Sequence, residues 1–380
     1  MNSLIFWMSL GVLVYVYFGY MAICMVLGVI FKKQRKQEDI LPSVSLIIPA
    51  FNEACVMRQK IENSLGLDYP KEKLEIVVAS ESQDQTNSIV AEYASQGVIL
   101  CAYEQRQGKS RMIYLTIPKT RGEIIVFSDA NAIFKPDALR KLVRNFSDDR
   151  IGAALGKLVI SNPKKSAAST GESVYKKYEG ILRRYNSYLR SVLGADGSIF
   201  GIRRELYFPI DPDHGDDFEL TVRILLKGYG VVFEPEAVSY EQASDTLASE
   251  VKRKIRIVSW FFKSAFILLK EMFWPLQIFL IWQVISHKIL RWLSPYFLLG
   301  VFFSNLFLCN THPGYRIFFY AQSTFYLMAA CGWFYLDKRK KQLPLLLKLP
   351  TYFLMFNYAF FLGTLRGIFL KQKPVWEKVR

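Results

Sequence analysis

"IVFSDANAIF", residues 125–134, decides how the chain is read. Ile125, Val126 and Phe127 continue from Ile124 as an unbroken apolar run, the pattern of a strand buried on both faces. The run stops abruptly at Ser128, Asp129, Ala130 and Asn131. Asp and Asn favour chain reversals, so a plain turn is one account. The other is that two oxygen-bearing side chains at alternate positions hold a cation at a strand's carboxyl end, where open α/β sheets bind their ligands.

On the amino-terminal side, "VSLIIPAF" (44–51), "LEIVVAS" (74–80), "GVILCAY" (97–103) and "EIIVFSDA" (123–130) read as four strands. Between them, "MRQKIENSLG" (57–66) has one apolar face and reads as a helix. "DQTNSIVAEYASQG" (84–97) opens with cap residues and closes on Gly, and "KSRMIYLTIPKT" (109–120) predicts a helix up to Pro118. Strand and helix alternate, which argues a parallel sheet flanked by helices. The polar residues after these strands fall at its carboxyl edge: Asn52 and Glu53; Ser80, Glu81 and Asp84; Asp129 and Asn131. A turn accounts for one such end. Acidic residues at several ends of one sheet point to a shared site.

The chain has 380 residues, enough for one sizeable domain with added elements, or two domains. Lys and Arg number 49 against 33 Asp and Glu, a net charge of +16. Such a balance suits nucleic acid, an anionic membrane face or a phosphate-bearing substrate. Five Cys without a CxxC spacing argue against a disulfide framework or a zinc site.

Residues 1–31 carry no charged side chain. Leu4–Phe31 would extend ~42 Å as a helix, enough to cross a bilayer with tilt and too long for a cleaved leader. Lys32, Lys33, Arg35 and Lys36 follow, which predicts a retained anchor with its carboxyl end in the cytoplasm. Leu293–Cys309 and Tyr315–Leu336 are two further candidate spans, joined by "NTHPG" and followed by "DKRKK". Tyr352–Leu370 is a third apolar run, ending in the basic "KQKPVWEKVR", which the charge bias keeps cytoplasmic. In 258–292, aromatic residues alternate with Lys263, Lys270, Lys288 and Arg291, the pattern of helices lying among lipid headgroups. The organisation expected is an anchor and basic linker (1–41), a cytoplasmic domain (42–257), amphipathic interface helices (258–292), and membrane helices with a basic tail (293–380). The basic residues cluster beside the spans and no nucleic-acid module is visible, so membrane lipids rather than nucleic acid are the expected anionic partner.

In order along the chain stand "SLIIPAFNE", "VVASESQDQT", "RQGKSRMIYL", "IIVFSDANAIFKPDAL", "GADGSIFGIRRELY" and "GDDFELTVRILLKGYGVVFEPEA". Over about residues 42–260 this set resembles the membrane-bound family 2 glycosyltransferases, the group of the cellulose, hyaluronan and poly-N-acetylglucosamine synthases. The resemblance implies a GT-A nucleotide-binding fold: α/β, with a mixed, mostly parallel sheet. It also implies an inverting transfer from a nucleotide-sugar, by family habit a UDP-sugar. The acceptor would be a polysaccharide or lipid-linked saccharide at the cytoplasmic face of the inner membrane, and the product a β-linkage.

Asp129-Ala130-Asn131 is similar to the family's Asp-x-Asp, which binds nucleotide and Mg2+ or Mn2+. Asn131 supplies an amide oxygen where a carboxylate is commoner. The resemblance places Phe51 near the base and Glu53 near the ribose. Ser80 stands where a base-reading Asp is usual, with Glu81 able to substitute from next door. Lys109 falls in a Gly-Lys turn near the nucleotide. Asp217 aligns with the base that deprotonates the acceptor, and its neighbour Asp216, with Asp196 and Gly197, falls on the acceptor side. Arg203 and Arg204 read equally well as structural partners. "RKIRIVSW" (253–260) stands for the polymerases' Gln-x-x-Arg-Trp: Arg256 keeps the arginine that meets the diphosphate. Arg253 replaces the Gln and Ile257 the Trp, although Trp260 lies one helical turn on. Those losses keep open a transferase of single sugars. A non-catalytic member of a polysaccharide export complex is the other alternative, against which Asp129 and Asp217 are both retained. A polymer would need a channel from an oligomer or from export or assembly partners.

Overall fold

The computed structural model of the chain describes residues 1–161, 167–211, 214, 216–242, 247–274, 276–339 and 343–370. The basic tail at 371–380, with its expected cytoplasmic placement, lies outside them.

Eight strands form one sheet: β1 (Val44–Ala50), β2 (Leu74–Ser80), β3 (Val98–Ala102), β4 (Ile124–Phe127), β5 (Ile133–Phe134), β6 (Ile151–Ile160), β7 (Phe200–Arg203) and β8 (Gly230–Glu241). Their order is β3-β2-β1-β4-β7-β6-β8-β5. The four strands read from the sequence are parallel neighbours, as alternation with helices requires. β7 runs antiparallel between β4 and β6, β6 and β8 are parallel, and β5 closes the far edge antiparallel to β8. The sheet is thus mixed, with parallel pairings in the majority.

Both faces are covered, which is why these strands are continuously apolar. Successive side chains point to opposite sides. Leu46, Ile48, Ile76, Val78 and Val126 pack with Met57, Ile61, Leu139 and Leu142 on one face. Ile47, Ala79, Ile125 and Phe127 pack with Met112, Ile113, Leu220 and Ile224 on the other. The helix Lys109–Thr116 gives way to a 3-10 turn at Ile117–Lys119, where Pro118 has no N–H to carry the helical hydrogen bonds on.

Asn2–Ile30 is the described helix that is by itself long and apolar enough to cross a membrane. Ile278–Trp292 and Ser294–Leu308 reach that standard only together, bent by 58°. The expected span at Tyr315–Leu336 is part of a longer helix, Pro313–Arg339, whose Arg316, Gln322 and many tyrosines keep it short of that apolarity. Tyr352–Leu370 falls within the helix Leu345–Phe369, likewise below that standard.

The linker after the first helix lies against the sheet domain. Lys33 N–H donates to the Tyr188 carbonyl at 2.9 Å, and the Gln37 amide donates to Glu234 at 2.9 Å. The helix Leu247–Phe273 runs unbroken through residue 257, where the sequence places a domain boundary. Its Val258, Phe262, Ala265, Leu268 and Met272 pack with Leu280, Val284, Trp292 and Phe360. The segment read as interfacial is therefore welded to the sheet domain on one side and to the last helix on the other.

Candidate active site

Parallel register brings the polar strand ends to one edge. Ala50 pairs with Ser80, and Ile47 with Phe127, so the residues after β1, β2 and β4 emerge side by side. The first two loops are laced together. Asn52 takes a positive φ of 55°, and its side-chain oxygen accepts from Gln83 N–H at 2.8 Å. Glu53 N–H donates to the Thr86 hydroxyl at 2.9 Å, and Ser82 Oγ accepts from Asn52 N–H at 2.9 Å. Ser80 is buried, its hydroxyl donating to Ser82 at 2.9 Å.

Glu81 is buried, and its two oxygens accept backbone N–H groups from Gln107 at 3.0 Å and Gly108 at 3.1 Å. It thereby anchors the loop that opens the helix of Lys109. Phe51 carries the Arg106 guanidinium over its ring, 3.7 Å from the centroid. That stack is worth about 0.5–2 kcal/mol.

The antiparallel entry of β7 explains how a segment 70 residues downstream reaches the Asp129 turn. Phe127 pairs with Phe200, so the residues before β7 lie over those after β4. Asp129 N–H donates to the Gly197 carbonyl at 3.0 Å. The same segment is tied to the start of the helix Asp216–Leu226: Gly194 N–H donates to Thr221 Oγ1 at 2.9 Å, and Ala195 N–H to the Asp217 carbonyl at 3.4 Å. Asp217 is thereby brought into the cleft of Asp129.

The charges interlock. Lys109 Nζ lies 3.0 Å from Asp129 Oδ1. Burial alone would lower the Lys109 pKa, but the carboxylates of Asp129, Asp217 and Asp216 outweigh it and raise it. Burial pushes the Asp217 carboxyl well above the ordinary range, and Asp216, Asp129 and Asp196 add to this against the pull of Lys109. Arg256, on the helix Leu247–Phe273, feels the fields of Asp129 and Asp216, although burial and Arg253 bring it down to about 10. Its guanidinium sits 5.6 Å from the Trp260 ring centroid, the one-turn spacing noted in the sequence. Asp196 is held by Lys176 at 2.9 Å and Arg183 at 2.6 Å. This pair of cations overcomes the burial that would raise its pKa and lowers it instead. The Asp196 carboxylate is thus committed to these two side chains rather than presented to an acceptor.

The donor set suits a divalent cation that arrives with its nucleotide. Among the described residues no group of three His, Cys, Asp or Glu could hold a metal alone. Asp129 offers a carboxylate that is 38% exposed, with Asn131 two residues on. Mg2+ and Mn2+ accept such a sparse oxygen set when phosphates and water complete the shell. The absence of a side chain at Gly197 keeps that space open: a Cβ there would lie 3.1 and 3.2 Å from the two Asp129 oxygens and 2.8 Å from Lys109 Nζ. Gly197→Ala is expected to weaken Mn2+-dependent binding of UDP or GDP about tenfold, ~1.4 kcal/mol, without lowering the melting temperature. Titration calorimetry of both nucleotides checks it.

Several residues given no role in the sequence complete the cleft: Arg106 on Phe51, Lys176 and Arg183 on Asp196, and Lys60 behind the Asp129 turn. Arg203 and Arg204 are structural. Arg203 donates to the carbonyls of Ile151 and Phe146 at 2.9 and 2.8 Å, and Arg204 to that of Gly122 at 2.8 Å. His214 pairs with Glu219 at 2.9 Å.

A mixed sheet with acidic strand ends facing a lysine and an arginine is a GT-A type nucleotide-binding domain. A family model described as glycosyltransferase-like family 2 matches residues 42–259, over half of the chain, and the chain belongs to that family. It is 30% identical over 228 residues to a probable glycosyltransferase, YdaM, of Bacillus subtilis, covering 56% of this chain and 54% of the relative. It is 29% identical over 244 residues to a beta-monoglucosyldiacylglycerol synthase of Trichormus variabilis, covering 58% and 50%. A poly-beta-1,6-N-acetyl-D-glucosamine synthase of Staphylococcus aureus is 22% identical over 268 residues, covering 67% and 64%. The chain spans about half the length of the first two of these relatives. The solved mannosyltransferase of Pyrobaculum calidifontis, in complex with GDP-Man and Mn2+, shares the fold: TM-score 0.71 at 19% identity, over 97% of this chain and 99% of the other.

Proposed function

We propose that the protein is an inverting, metal-dependent glycosyltransferase working at the cytoplasmic face of a bacterial plasma membrane, with several membrane helices. The observation that carries this reading is the buried Asp217, within the electrostatic reach of Asp129 and Lys109 in one cleft at the carboxyl edge of the sheet. Asp217 accepts the proton of an acceptor hydroxyl, and that oxygen bonds to the anomeric carbon of the donor. The bond from this carbon to the diphosphate breaks on the opposite side, its electron pair going to the phosphate oxygen. An α-linked donor then gives a β-linked product. Lys109 and Arg256 are the basic groups available to the leaving diphosphate. Asp129, with Asn131, would hold Mg2+ or Mn2+, which when bound neutralises charge on the diphosphate.

Phe51 and Glu53 belong to the donor side, near base and ribose. Ser80 and Glu81 are buried beneath them and shape the loops, so base choice rests on the rim of the cleft. UDP-sugars are the donors by family habit; the GDP-Man of the mannosyltransferase sharing the fold makes GDP-sugars the second class to test. Gly197 and Asp216 lie on the acceptor side, where a lipid-linked saccharide or a growing polysaccharide would enter. The exposed Phe273, Trp274, Leu276 and Ile278, between the site-bearing helix and Ile278–Val284, support a membrane-adjacent acceptor.

Single-sugar transfer, rather than polymerisation, is the second reading. Arg253, where the polymerases have Gln, is ion-paired with Glu250 at 3.1 Å, and Ile257 replaces their Trp. Export or assembly partners would be needed only by a polymerase.

A panel of UDP- and GDP-sugars with the full chain in detergent, with Mg2+, Mn2+ or chelator, tests the proposal. Release of nucleoside diphosphate from one donor, requiring a divalent ion, is expected. Turnover unaffected by chelator would remove the metal from the mechanism, and no turnover of any donor with acceptors present would remove the enzyme.

A further inference from the structure

Lys60 is a lysine with no solvent exposure, on the helix Ala54–Leu65 that packs beneath the Asp129 turn. Lysines are almost never fully buried unless paired. Among the described residues no carboxylate lies within ion-pair distance of it. Its Nζ donates instead to Ser128 Oγ at 2.7 Å and to the Ala132 carbonyl at 2.6 Å, and it sits 4.2 Å from the Phe134 ring centroid. Ser128 and Ala132 bracket Asp129-Ala130-Asn131. One turn along the same helix, Asn63 clamps the next strand: its amide donates to the Phe134 carbonyl at 2.8 Å and its oxygen accepts from Phe134 N–H at 2.8 Å. Ser128 Oγ also lies 3.3 Å from the Ser198 carbonyl, beside Gly197.

We propose that Lys60 is a positioning residue for the donor site: its amino group ties the two ends of the Ser128–Ala132 turn from behind and fixes the direction in which Asp129 and Asn131 face the cleft. A turn of five residues between a short strand and a two-residue strand has few other restraints. Asp129 N–H is bound to Gly197, and Ala132 N–H to the Asp129 carbonyl at 3.1 Å, but neither bond reaches the helix beneath. Ser128 N–H ties the start of the turn to the Ile47 carbonyl of β1 at 3.1 Å, and Lys60 supplies the link to the helix. Without it, Ser128 Oγ and the Ala132 carbonyl lose their donor in a buried place, and the turn relaxes toward other partners.

The inference rests on the reading of Asp129 as a metal and nucleotide ligand, and its test separates the two. Lys60→Met keeps length and bulk and removes the donor. Binding of UDP and of GDP to the full chain is measured by calorimetry across a Mn2+ titration, for wild type, Lys60→Met, Ser128→Ala and the double variant. The expected result is that Lys60→Met needs at least about tenfold more Mn2+ for half-maximal nucleotide binding, the range for a group that orients a ligand. Its melting temperature in chelator should stay close to wild type, and saturating Mn2+ should restore kcat. Ser128→Ala should shift the Mn2+ requirement less, and adding it to Lys60→Met should shift it no further. A wild-type Mn2+ requirement in Lys60→Met overturns the proposal while leaving the donor site standing. If Lys60→Met does not fold, an unshifted Ser128→Ala overturns it in the same way. Wild type that binds neither nucleotide at any Mn2+ concentration overturns the donor-site reading and this proposal together.

Discussion

Asp217→Asn is expected to lower turnover at least about a hundredfold while leaving nucleotide binding close to wild type, the low end of what a general base contributes. The amide fills the same space and cannot take a proton. Two further signatures separate loss of a base from damage to the fold. The first is the pH profile of wild type. A base works only when ionised, and burial with three neighbouring carboxylates raises this one. The acid limb of the rate should therefore lie well above the ~3.9 of an ordinary Asp. The second is stability. A carboxyl whose folded pKa exceeds its unfolded one favours the folded state fully only below the unfolded pKa, and loses that contribution as pH rises through the folded pKa. Asparagine has nothing to lose. The melting temperature of Asp217→Asn should equal wild type in acid and exceed it increasingly as pH climbs, levelling off above the raised pKa. Undiminished turnover in the variant takes Asp217 out of the base role.

Such a gain in stability on losing function is the mark of a group kept charged in an unfavourable place for chemistry. The cleft holds four aspartates, and the structure treats them differently. Asp196 is matched by two cations and lowered; Asp217 has only a share of Lys109 and is raised. Environments that push like groups apart are what assign acid–base roles.

The strand ends were legible because two facts suffice for them: an apolar run ending in polar residues, and the rule that parallel neighbours emerge on one edge. The meeting of Asp129 with Gly197 and Asp217 was carried by resemblance alone. Its physical cause, β7 entering antiparallel to β4, has no trace in periodicity. Lys60 was open to reading and passed over. Positions 57, 60, 61 and 64 form the i, i+3, i+4, i+7 stripe of a core-facing helix. Met57, Ile61 and Ser64 are buried with it, so a lysine on that stripe has to find acceptors inside. Glu81 reads in sequence as a substitute for a base-reading Asp, yet its oxygens are taken by the Gln107 and Gly108 amides, a contact across 26 residues that local pattern does not encode. The same holds for Asp196, whose partners come from the helix Ala167–Tyr188. In the carboxyl-terminal third, apolar content marks Tyr315–Leu336 as a candidate span, while its tyrosines help keep the helix below the apolarity of Asn2–Ile30. Tyrosine counts as apolar in such a tally but favours the interface.

Asp129→Ala should change how the protein binds nucleotide as well as how tightly. In wild type the Asp129 carboxylate faces two claimants, Lys109 at 3.0 Å and the incoming cation. On the proposed reading, Asp129 would hold the cation when nucleotide and Mn2+ bind, and Lys109 would then turn toward phosphate oxygens. Without metal, Lys109 stays on Asp129 and the diphosphate meets a cleft that is still acidic. Removing the carboxylate abolishes the first state and relieves the second. Mn2+-dependent binding of UDP or GDP is therefore expected to weaken about a hundredfold, ~2.7 kcal/mol. Binding in chelator should hold steady or tighten, because Lys109 and Arg256 then meet the phosphates with one carboxylate fewer beside them. The ratio of affinities with and without Mn2+ should collapse toward one. Calorimetric titrations of both nucleotides, each run with Mn2+ and with chelator, read that ratio directly. If Asp129→Ala keeps the wild-type enhancement by Mn2+, the cation is held elsewhere and Asp129 serves only to pair with Lys109.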